Sequence, residues 1–164
     1  MGKFQGQVLS LEEMIVRSDA DQPFVYPPIT ELKLSADRNA RLARDILAAG
    51  ETLDDAWRFG VLQTLDEYQS VLKLDGVEWA AQIFAKAPVK TGSSEVDAAF
   101  AALADYLAEL DGWDAPAWIN DPERVTSRWF PAVMKIDLAE AEEYSPRPFR
   151  DRGIFISSRS LLRV

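Results

Sequence analysis

Residues 52–74, TLDDAWRFGVLQTLDEYQSVLKL, are the longest stretch that reads as one helix, and they limit what the chain can fold into more than any other part. At helical spacing Leu53, Trp57, Val61, Leu65, Tyr68, Val71 and Leu72 share one broad face, the recurrence of a buried stripe. Phe59 and Leu62 fall outside it, toward the sector that carries Asp55, Asp66 and Lys73, so a second element or a second subunit is expected to cover them. A helix covered on two sides belongs in the middle of a bundle. Thr52 is placed to accept from the Asp55 N–H, and Asp54 and Asp55 sit where the helix dipole favours carboxylates.

Ahead of this stretch, Ser10 and Glu13 form a capping box for a short helix to about Arg17, and Pro23, Pro27 and Pro28 hold PFVYPPI extended. Ser35 caps a second helix through Ala49 that stops at Gly50, with Leu42, Ile46 and Leu47 as its apolar edge. Arg38, Arg41 and Arg44 ride beside that edge as a solvated basic face paired with acids. Beyond the central helix, residues 77–87 turn Val77, Ala80, Ile83 and Phe84 inward. A turn over 88–94 follows, and Ser94 with Asp97 opens a helix on which Val96, Phe100, Leu103, Leu107 and Leu110 make a seam.

Asp121 and Pro122 set the cap and first position of a helix through Phe130. Residues 136–144 are helical and acidic on one side, Pro146 starts a short turn to Arg152, and Gly153 suits a left-handed stop. Ile154, Phe155 and Ile156 form the one β segment. The expected fold is therefore mainly α: one domain over residues 1–164, an irregular bundle of about six or seven helices, with an extended N-terminal segment and a short C-terminal β segment. Pairing of residues 7–9, 24–26 and 154–156 in a small sheet would shift the class toward α+β.

Two absences restrict the chemistry. The chain has no Cys, which removes thiol nucleophiles, disulfides and the usual structural zinc sites, and no His, which removes the Ser-His-Asp triad and the commonest general base. Ser70-Val71-Leu72-Lys73 and Lys90-Thr91-Gly92 match two short elements of the serine β-lactamase pattern, but Ser70 sits near a helix end, not at its start, and the third element is missing. No phosphate loop precedes Lys90-Thr91. Among the carboxylate pairs, Asp19 with Asp21 is the best placed for metal-dependent hydrolysis because it lies in a loop. Trp113, Trp118 and Trp129 read as a satellite core rather than a ligand pocket. The helix pair over 35–74 outlines a helix-turn-helix, yet Asp54 and Asp55 would meet phosphates with the wrong sign.

Charge is the most informative global property. The net charge of −9 disfavours a nucleic-acid partner, whose phosphates require surplus Lys and Arg. Residues 146–164 form a basic C-terminal tail, five arginines against Asp151, so the tail is +4 and the first 145 residues are −13. The expected role is an intracellular interaction or regulatory module, the acidic member of a two-protein system of the antitoxin or adaptor kind, with a protein partner or a second copy of itself. The rivals are a carboxylate-based, metal-dependent hydrolase and a nucleic-acid regulator acting through the tail. No cofactor is called for. No run reaches the ~20 apolar residues of a membrane helix and the N-terminus lacks an apolar signal core, so the expected location is cytoplasmic.

The expected partner-binding residues are Arg147, Arg150, Arg152, Ile154, Phe155, Ile156, Arg159 and Arg163 in the tail, with Phe59 and Leu62 on the central helix. Two arrangements of the tail compete. Its arginines can fold back onto the acidic 137–143 stretch and bury the apolar triplet, or Pro146 and Gly153 can aim the triplet outward as an edge strand for a partner's sheet.

Overall fold

The computed structural model describes residues 33–157 and 159–162, all within one compact unit, Leu32–Val164. The expectations for the N-terminal capping box, the proline-rich segment, Asp19, Asp21 and Arg163 lie outside the described residues. The protein is mainly helical. Helix α1 spans Ala36–Ala48, with the Ser35 hydroxyl accepting from the Arg38 N–H at 3.1 Å and Gly50 leaving the helix at φ +86°. Next, α2 (Leu53–Ala56), a π-helical segment (Trp57–Leu62) and α3 (Gln63–Asp75) run on without a break in helical backbone. Thr52 and Asp55 form a reciprocal capping box at its start.

The π segment has a local cause in packing. A Cβ on Gly60 would stand 2.8 Å from the Ala43 Cβ, so only Gly lets this turn lie against α1. Thr64 bonds back to the Gly60 carbonyl at 2.8 Å, and Asn39 of α1 donates to Thr64 Oγ1 and to Glu67. Close approach also explains which face of α1 is inward. Ala36, Ala40 and Ala43 are buried with Asn39, whereas Leu42 stands half exposed and Ile46 and Leu47 only border the core, which corrects the leucine-edge expectation. Large side chains on that face would hold the helices apart.

A short helix α4 (Val77–Ala81) and a 3-10 turn (Gln82–Phe84) bury Ala80, Ile83 and Phe84. Helix α5 (Ser94–Asp111) is the most enclosed element, with eleven buried residues, including Ala98, Ala99, Ala101, Ala102 and Ala104. Its cap is Ser93, not Ser94: the Ser93 hydroxyl accepts from the Val96 N–H, and Asp97 is occupied by the N–H and hydroxyl of Thr91. The alanines let neighbours approach on several sides, and Leu110 of the expected seam is exposed at the far end.

Residues 121–130 form no helix. Asp121 makes a turn, its side chain accepting from the Glu123 N–H, and Thr126 and Trp129 then donate to the Arg152 and Gly153 carbonyls at 2.9 and 2.8 Å. Those backbone bonds to the C-terminal segment compete with the helix that the Asp-Pro signal alone would start. A 3-10 turn (Lys135–Asp137) leads into α6 (Leu138–Tyr144), and α7 (Arg147–Arg150) ends the helical part before Gly153 at φ +78°. The expected β segment is one parallel bridge between Trp129 and Ile154 among the described residues, not a strand.

Candidate functional site

Tail arginines and α5 carboxylates meet in a polar cleft of about 280 Å³ beside the 3-10 turn Ala117–Asn120. Arg152 is almost fully buried there. Its Nη1 donates to Asp105 Oδ2 and to the Pro148 carbonyl, each at 2.8 Å, and its Nη2 donates to the Ile119 carbonyl at 3.1 Å. Arg147 donates to Glu109 and, at 3.1 Å, to Asp151 one turn on. The hydrogen bond it donates to Glu109, with the charges around it, holds the Arg147 guanidinium above its ordinary value. Across the cleft, the Glu123 N–H and Lys90 hold Asp121 below the usual carboxylate range. A general acid at neutral pH needs the opposite shift, so Asp121 is an acceptor and not a proton donor.

The tail therefore does fold back, and Arg147 and Arg152 bond to Glu109 and Asp105 of α5. Of the acidic 137–143 stretch, Glu142 pairs with Arg128, a residue ahead of it in the chain. Ile154 and Ile156 are buried, and Phe155 stacks on Phe130 at 5.2 Å. The backbone of the triplet is used internally: Phe155 donates to the Trp129 carbonyl at 2.8 Å, and Ile156 donates to Ser145 Oγ at 2.7 Å. This overturns the outward edge strand, because the groups that would extend a partner's sheet already have partners.

Arg150 and Arg159 are exposed, as is Phe59 (48%), which lies under the Arg58 guanidinium. Leu62 is buried in the same core as α5. The structure thus brings Arg147 and Arg152 together and separates them from Phe59 and Leu62. Among the described residues no group of three or more Asp or Glu side chains could hold a metal ion. No described helix is long and apolar enough to cross a membrane.

A second surface was not singled out by sequence pattern. Met134 (66% exposed), Ile136 (85%) and Tyr144 (63%) stand in solvent around α6, interspersed with Asp137, Glu142 and Glu143. The segment leading to it turns through Ala132 at φ +51°, where the Ala132 N–H is tied to Asp54 Oδ1 at 3.0 Å. Irregular backbone has no period, so Met134 and Ile136 carried no signal of facing outward. Compared with known proteins, the chain matches no family model, no curated protein and no solved structure.

Proposed function

We propose that this protein is an interaction module, the acidic member of a two-protein assembly, and that its partner lays a basic segment with apolar anchors along residues 134–144. The observation that carries this reading is the exposure of Met134, Ile136 and Tyr144 beside Asp137 and Glu143, with Lys135 between the first two and Glu142 paired with Arg128. Fully covering an aliphatic side chain of this size is worth about 1.5–3 kcal/mol, and a flanking acidic rim speeds encounter with a positive surface. Of the tail arginines that would serve a nucleic-acid reading, Arg147 and Arg152 pair with carboxylates.

The test is a quantitative pull-down from native host extract with the intact protein and with the Met134→Ser/Ile136→Ser double variant. Both substitutions lie in solvent, so the variant keeps its thermal melting curve. A protein recovered at least tenfold less by the variant, and displaced by raised salt, fits the reading. Equal recovery of every bound protein by both forms overturns it.

A further inference from the structure

A shallow apolar cleft of about 230 Å³ opens between the 3-10 turn Gln82–Phe84 and the loop after α5. Phe84, Ala85, Pro116 and the half-buried indole of Trp113 line it, and Gln82 and Asp114 stand at its rim. The indole is held in place. It stacks on Phe84 (centroids 5.8 Å apart, planes at 18°), and its Nε1–H donates to Tyr68 Oη at 2.9 Å, which in turn donates to Asp111 at 2.6 Å. A fixed aromatic wall costs no ordering when a ligand arrives.

The rim groups are unused. Among the described residues neither the Asp114 carboxylate nor the Gln82 side-chain amide makes a hydrogen bond or ion pair, whereas the neighbouring Asp111 accepts from Tyr68. A free carboxylate beside an aromatic ring and an apolar floor is the combination that takes a cation with an apolar stem. The volume is below the roughly 300–1,000 Å³ that encloses a whole small-molecule ligand. We propose that this cleft receives an arginine side chain of the protein partner, its guanidinium between the Trp113 indole and the Asp114 carboxylate and within reach of the Gln82 amide oxygen. Arginine fits better than lysine because its planar head stacks on the indole while offering paired N–H groups to a carboxylate. The inference rests on the interaction reading and names one chemical requirement of the partner.

The five tryptophans give five indole N–H resonances, and a Trp113→Phe spectrum assigns that of Trp113. The full-length protein is titrated with N-acetyl-arginine amide and, separately, with its uncharged analogue N-acetyl-norleucine amide. A saturable shift of the Trp113 resonance is expected with the arginine probe alone, and Asp114→Asn weakens it about tenfold, as loss of a charge contact worth roughly 1.4 kcal/mol does. Uniform, non-saturating shifts at all five indoles, an equal response to norleucine amide, or an unchanged response in Asp114→Asn each overturn the proposal. Failure here with partner loss in the Met134→Ser/Ile136→Ser variant removes the cleft and leaves the interaction surface standing; the converse pattern leaves a guanidinium site and removes that surface.

Discussion

A methyl group at Gly153 would overlap the Thr126 carbonyl oxygen, and the backbone there is left-handed at φ +78°. Both the conformation and the space demand Gly. Gly153→Ala is expected to cost about 2–4 kcal/mol in urea unfolding, combining backbone strain with overpacking. Gly92 has a similar φ of +90° but nothing within 4 Å, so Gly92→Ala should cost only about 1 kcal/mol, the strain alone. Asp37 makes a second argument at this scale. Burial pushes its carboxyl up, but Lys86 at 2.5 Å, the Val89 N–H at 3.0 Å and Arg41 outweigh that and hold it below the ordinary value. A carboxyl lowered on folding contributes stability that is present above its unfolded value and lost as pH falls through its folded one. Asp37→Asn should therefore flatten the decline in unfolding free energy as pH falls through and below the ordinary carboxylate value of about 3.9, read by denaturant unfolding at each pH. An unchanged acid limb would show that Asp37 is not wired to Lys86 and Val89 in solution.

Between elements, the contact of α1 with the π segment is set by two small residues facing each other, Ala43 and Gly60. Gly60→Ala adds a good helix former, which by propensity alone would stabilise by about 1 kcal/mol. The Ala43 methyl makes the opposite sign the expected one, a loss of about 1–3 kcal/mol by overpacking. Ala43→Gly in the same chain should recover most of that loss, and a thermal double-mutant cycle measures the coupling. Independent, additive effects would mean that α1 does not approach the π segment this closely. Enclosure on several sides explains α5 in the same terms. Its seam of Val96, Phe100, Leu103 and Leu107 is read from spacing, but the alanines on its other sides are buried too, which spacing could not say.

At the scale of the whole molecule, the C-terminal segment closes the core. Ile154 and Ile156 are buried, Arg152 is bonded to α5 and to two backbone carbonyls, and Phe149 meets Trp57 edge-on at 6.3 Å. Removing a buried Ile costs about 2–5 kcal/mol, against a total stability of roughly 5–15 kcal/mol for a domain. A chain ending at Gly153 should thus lose cooperative melting by circular dichroism. A truncated protein that melts cooperatively near the full-length temperature would show that 154–164 is an appendage.

Helix ends were legible in the residues themselves: Ser35 and Thr52 as caps, Gly50 and Gly153 as left-handed stops, and the Trp57, Val61, Leu65, Tyr68, Val71 stripe all follow from local bonding and period. So did the mainly helical class, and the pull of the tail arginines toward acids. What tertiary structure decided was every choice among partners that local rules leave equal. It turned alanines and not Leu42 inward on α1, because proximity to Gly60 rewards small side chains. It spent the 121–130 donors on Arg152 and Gly153 in place of a helix, and gave Arg147 and Arg152 to α5. It left Met134 and Ile136 in water, since burial depends on what the rest of the chain brings alongside, and no period in a single segment encodes that.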